Sequence, residues 1–248
     1  MFGIDPLTAT TLLILAASGG GTDGDKICKM PVTPKINIVP QAEETKYDYS
    51  QTMAQLQQYS MDTIDPYGFH GTTATQGFMK GGVMLEPKIK FGSGTLPMYP
   101  QAACVWYESI DVAIKLDPTI VLAKEVYNDR CMRQAVGDHE RKHVKIDRMI
   151  VNKYSKIMGR KVYDALAQRG FVGGPVPRDQ AQALADRMST VVQQVVEHEF
   201  KKMDLERIEK QRELDNLEEY ESVNAKCPKF NLTEEMMTGV KAAPKRTR

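Results

Sequence analysis

Ala135-Val136-Gly137-Asp138-His139-Glu140-Arg141-Lys142-His143-Val144 is the stretch on which the reading of this chain turns. It holds the pattern H-E-x-x-H in a chain with only four histidines. On an α-helix, residues four apart lie about 40° apart around the axis and about 6 Å apart along it. His139 and His143 can therefore offer two imidazoles to one metal ion. Glu140 projects beside them, where a carboxylate can take a proton from water activated by the metal. Arg141 and Lys142 put two positive charges between Glu140 and His143. Such charges oppose a dication and imply a half-exposed helix, or one that is merely amphipathic.

The flanking sequence predicts the helix. Asn128-Asp129 supplies N-cap chemistry, and a helical pattern runs from about Arg130 to Arg169. Its apolar stripe is Met132, Val136, His139, His143, Ile146, Ile150 and Ile157, at i, i+3, i+4 spacing. The two histidines lie in that stripe and so face inward. Gly170-Phe-Val-Gly-Gly-Pro-Val-Pro177 stops the helix. A second helix starts at Arg178-Asp179 and runs to about Val223. Its apolar face includes Leu184, Met188, Val192 and Met203, and it becomes strongly charged from Glu206 to Glu213. By length and loop the two helices form an antiparallel hairpin.

That hairpin suggests a third ligand, which a catalytic zinc site requires alongside a water position. The longer motif with a third histidine is absent, because residue 146 is isoleucine and residue 149 is methionine. A turn centred near residue 174 sets His143 opposite about residue 206 and His139 opposite about residue 210. Glu206 is the candidate, with Glu209, Glu199 and His198 next. Asp147 lies too far along the helix from His139 to share the ion. It reads as a solvated carboxylate, or as a group orienting His143. His70, in a Gly/Thr loop, reads as a surface residue, and Trp106 as core packing.

The chain before the motif reads as strand and loop. Lys35-Ile-Asn-Ile-Val39 alternates like a short strand, and Thr52 to Tyr59 could form a helical turn or two. Strands broken by glycine are expected over Gly77–Met84 and Pro87–Phe91. Cys104–Leu116 and Thr119–Val126 read as a β-hairpin around Asp117-Pro118. The fold class is therefore α+β: a small antiparallel sheet region, then the H-E-x-x-H helix and a long helical hairpin.

The whole chain has 248 residues, with 33 basic and 32 acidic side chains, so no net field steers it to nucleic acid or a membrane surface. Leu7–Ala17 is an apolar run too short to span a bilayer. It looks like the core of a secretory signal, although Met1–Pro6 carries no Lys or Arg. Residues 1–30 read as a signal-like segment and linker, 31–227 as one domain, and 228–248 as a basic, unstructured tail. Cysteines 28, 104, 131 and 227 form no C-x-x-C, and their even count fits two disulfides in an oxidising compartment. Of the three pairings, Cys104–Cys131 with Cys28–Cys227 is favoured.

Cys104-Val-Trp, two strands ending at Cys131, then His139-Glu-x-x-His143 and a long second helix resemble the bacterial exported zincin-like proteins of unknown function. The resemblance covers roughly residues 45–220. It implies a zincin-like peptidase fold in the cell envelope, with His139 and His143 on Zn2+ and Glu140 as the base. The expected activity is a zinc-dependent metallopeptidase or related hydrolase, periplasmic or secreted, acting on a peptide or protein. No nucleic acid and no stable membrane span are expected. The alternative is a non-catalytic envelope protein that uses the helical hairpin as an interaction surface for a protein partner, with a relic or structural metal site.

Overall fold

The computed structural model describes residues 27–59 and 74–237. In chain order the strands are β1 (Lys35–Ala42), β2 (Lys46–Asp48), β3 (Gly77–Lys80), β4 (Val83–Leu96), β5 (Tyr99–Leu116), β6 (Thr119–Leu122) and β7 (Val172–Pro177). The helices are α1 (Met53–Leu56), α2 (Lys124–Asn128), α3 (Arg130–Arg169), α4 (Ala181–Leu214), α5 (Leu217–Ala225) and α6 (Glu234–Met237). The fold is α+β, and α3 begins where the cap chemistry places it: Asp129 Oδ1 accepts the Met132 N–H at 2.8 Å. No helix among the described residues is long and apolar enough to cross a membrane.

The described residues fall into two units. The first takes residues up to Gln41, Val83–Lys115 and Ile150–Leu205. In it, β1, β5 and β4 lie side by side and β7 pairs antiparallel with β5. β4 and β5 are joined by Pro97-Met98 alone, a connection short enough only for an antiparallel hairpin. Alternate β5 residues Ile110, Val112 and Ile114 are fully buried, as a period of two requires. The second half of α3 buries Val151, Met158, Val162 and Leu166, and α4 buries Val192 and Val196. The Tyr107 hydroxyl donates to the Met188 carbonyl at 2.7 Å. Trp106 is half-buried with the Cys28–Cys104 disulfide in a small apolar cluster.

The second unit takes Ala42–Gly82, Leu116–Met149 and the chain from Glu206. Its sheet has the order β2-β6-β3, with β2 parallel and β3 antiparallel to β6. Met132, Ala135, Val136 and Val144 of α3 pack in one core with Ile120, Val121 and Leu122 of β6. Gly77 sets how closely β3 approaches. A Cβ there would lie 2.8 Å from Leu122 Cδ2, 2.9 Å from the Val121 carbonyl oxygen and 3.0 Å from Val136 Cγ1. A side chain would push the sheet away from the helix that carries the histidines.

Several expectations are corrected. β5 and β6 do not pair as a hairpin. Asp117-Pro118 instead passes the chain to a different sheet, where β6 is sandwiched between β2 and β3 and buries Ile120, Val121 and Leu122. The disulfides are Cys28–Cys104 and Cys131–Cys227, so each closes within one unit. Cys28, placed in the linker by its Gly-rich surroundings, is buried. The tail reading fails from 228 to 237, where Phe230 and Met236 pack on the second core and α6 forms. The signal-like run, His70 and residues 238–248 lie outside the described residues.

Cys131, at the start of α3, and Cys227, just after α5, are 96 residues apart in sequence. Closing so long a loop removes much unfolded-chain entropy. Replacing both with alanine should lower the unfolding free energy by about 2–5 kcal/mol in a urea titration. Stability equal to the parent would mean the cross-link is not what holds these segments together.

Candidate metal centre

The first half of α3 carries the three motif residues on its buried side. His139, Glu140 and His143 are 6%, 4% and 7% exposed. Facing them is the point where the long charged helix ends. α4 stops at Leu214 and α5 starts at Leu217, with Asn216 as its N-cap accepting the Glu219 N–H at 2.9 Å. Asp215 sits in that break.

Among the described residues, His139, His143 and Asp215 form the one group of three or more metal-binding side chains. The His143 and His139 Nε2 atoms are 3.1 Å apart. Asp215 Oδ1 lies 3.3 Å from His139 Nε2 and 3.0 Å from His143 Nε2. Metal bonds of about 2.0–2.1 Å in a tetrahedron place neighbouring ligand atoms about 3.3 Å apart. The three atoms thus mark out nearly one face of such a tetrahedron.

Hydrogen bonding fixes which nitrogens are free. Gln211 Nε2 donates to the Asp147 carboxylate at 2.6 Å and to the His143 carbonyl at 3.2 Å. Both amide hydrogens of Gln211 are thereby committed, so its Oε1 faces His143 Nδ1 and must accept from it. His139 Nδ1 lies 3.3 Å from Glu219 Oε1, which as a carboxylate can only accept. Nδ1 of each imidazole therefore carries a proton, and Nε2 of each turns toward Asp215. Asp215 Oδ1 is buried between the two Nε2 atoms. With both Nε2 atoms unprotonated, the set of two imidazoles and a carboxylate has the chemistry that suits a borderline metal ion.

Without an ion, protons balance the charges of the cluster. Burial alone would lower the affinity of His143 for a proton. The Asp215 and Glu140 carboxylates outweigh it and raise the pKa to about 9. Burial likewise works to raise Asp215, but the two histidines hold it down at about 2. Glu140 is different. Burial pushes its carboxyl up to about 7, against the pull of His143 and His139, and the Met79 backbone hydrogen-bonds to it. Tyr220, with its ring 5.8 Å from that of His139, is raised by burial and by the charges of Asp215 and Glu140. Both cations of the motif are paired, Lys142 with Glu219 and Arg141 with Asp138.

Glu206, the third ligand expected from the hairpin, is not in the group. The helices do run antiparallel here, since His143 meets Gln211 and Asp147 meets Arg207. But β7 and a 3-10 turn at Arg178–Gln180 lengthen the connection. His143 consequently faces a residue five positions past Glu206. Glu209 is also outside the group, and His198 and Glu199 belong to the first unit, where Glu199 pairs with Lys202. The sequence does carry a signal for Asp215. Asp215-Asn216 followed by Glu218-Glu219 is N-cap chemistry, and it breaks the second helix, expected to continue to about Val223.

Asp147 is not a solvated carboxylate but fully buried, accepting from Arg207 Nε at 2.7 Å as well as from Gln211. It acts on His143 through the Gln211 amide. The chain matches no protein-family model, and comparison with curated proteins and with solved structures likewise returns no match. Asp147→Ala would leave the Arg207 guanidinium without its buried partner. Urea unfolding of that variant should show a loss of about 3–5 kcal/mol. A loss under about 1 kcal/mol, the range of a surface pair, would contradict the buried role.

Proposed function

We propose that this chain is a zinc-dependent hydrolase of the peptidase type, with His139, His143 and Asp215 as the protein ligands and Glu140 as the general base. The observation that carries the reading is the triangle of two imidazole nitrogens and a carboxylate oxygen with edges of 3.0–3.3 Å. Zinc held there would supply Lewis acidity toward a carbonyl oxygen or a water. The residues of the chain do the rest. Gln211 and Glu219 engage Nδ1 of the imidazoles, which directs Nε2 of each toward the centre. Glu140 follows His139 directly, and its carboxyl is tuned to about 7, where one group can both take a proton from water and return it to a leaving amine. The resemblance to exported zincin-like proteins belongs with this reading. So does an envelope or secreted location, which two disulfides favour.

One observation favours a second reading. The motif residues are nearly sealed from solvent, and closed sites are typical of structural metals. On that reading the ion pins α3 to the α4–α5 break, and the protein serves as a binding partner in the envelope.

Purified protein should contain about one zinc per chain by elemental analysis, and Asp215→Ala should lose it. Glu140→Gln should keep the zinc and lower casein hydrolysis at least about 100-fold. Zinc without hydrolysis in the parent protein would select the structural reading, and a parent protein that takes up no zinc would overturn both. Gln211→Ala should weaken zinc binding about 10–100-fold in competition with a chromophoric chelator. Unchanged affinity would remove Gln211 from its orienting role.

A further inference from the structure

The other side of α3 carries different chemistry. Arg130, Arg133, Gln134, Gly137 and Arg141 line a cavity of about 320 Å³. At 100° per residue these five positions span an arc of about 100°, centred about 150° from the direction of His139 and His143. The cavity is therefore separate from the metal centre, and every residue lining it belongs to the second unit.

Tyr47 and Tyr49 form its aromatic wall, with ring centroids 6.1 Å apart. Tyr49 stacks in turn on Tyr127 at 4.0 Å, and the Arg133 guanidinium lies over Tyr127 at 5.1 Å. These contacts hold the tyrosines as flat, pre-arranged faces. Leu122 supplies an apolar floor. Gly137 keeps that floor open, since a Cβ there would lie 3.3 Å from Arg141 Nη1 and 3.9 Å from Leu122 Cδ1.

The charge is one-sided. Arg141 is paired with Asp138. Arg130 and Arg133 have no carboxylate partner among the described residues; the Arg133 guanidinium donates to the Tyr127 carbonyl, at 3.4 Å. Two guanidiniums without acids thus border a cavity with an aromatic wall, of a size at the lower end for small-molecule sites. Guanidinium forks match carboxylate and phosphate oxygens, and tyrosine faces take flat rings.

We propose that this cavity binds a small aromatic anion, a flat ring carrying a carboxylate or a phosphate. The ring lies against Tyr47 and Tyr49, and the anionic group sits between Arg130 and Arg133. A peptide ending in phenylalanine and a phosphate ester of a phenol offer the same chemistry, so two probes separate the sources. Titration calorimetry on the full chain with N-acetyl-phenylalanine and with phenyl phosphate should show saturable binding of at least one. The tighter of the two identifies the natural source. N-acetyl-phenylalanine amide and inorganic phosphate should each bind at least tenfold more weakly than the matching probe. Arg130→Gln combined with Arg133→Gln, and separately the exposed Tyr47→Ala, should each weaken binding tenfold or more without changing zinc content. No saturable binding of either probe up to about 10 mM would overturn the proposal, since that is weaker than about −3 kcal/mol. Equal binding of the control compounds, or full affinity in both variants, would overturn it too.

Discussion

Three buried ligand atoms, two imidazole nitrogens and one carboxylate oxygen, face one another at 3.0–3.3 Å. With both nitrogens unprotonated they cannot satisfy each other, so a proton or a cation must lie among them. Much of the second unit serves to hold them there. Asp147 fixes Gln211, and Gln211 fixes His143. Glu219 fixes His139 and at the same time neutralises Lys142. The Cys131–Cys227 disulfide ties the end of α5 to the start of α3, so the segments that supply the carboxylates cannot drift from the helix that supplies the histidines.

Burial gives this arrangement its force. In water, such a cluster would be screened and weakly coupled. Inside the protein each carboxylate changes the proton affinity of its neighbours. The outcome is a division of labour between two acids in one small site. Asp215, held by two histidines, stays ionised, while Glu140 is poised near neutrality. Environments that push the pKa values of two acids apart in this way are common where one acid binds and the other moves protons.

The sequence made half of this site legible. His139, Glu140 and His143 could be read because helical periodicity is local, and the stripe from Met132 to Ile150 shows which way they point. The extent of α3 was legible for the same reason, with Asp129 as cap and Gly170 as stop. Asp215 was not read, because it depends on register between distant segments, and a few extra residues in β7 shift that register by more than a helical turn. The break at Asp215-Asn216 was visible but looked minor beside the long charged run around it. Strand pairing failed similarly. Nothing local in Thr119–Leu122 says that it joins β2 and β3 rather than β5. Disulfide connectivity was one of three choices, and only the tertiary fold could select it.

His139, His143 and Asp215 are proposed to close on one metal ion. Zinc K-edge X-ray absorption on the zinc-loaded chain reads that shell directly. Four nitrogen or oxygen ligands at about 2.0 Å are expected, with the outer-shell scattering of two imidazoles. A shell without imidazole scattering, or one containing sulfur, would contradict it.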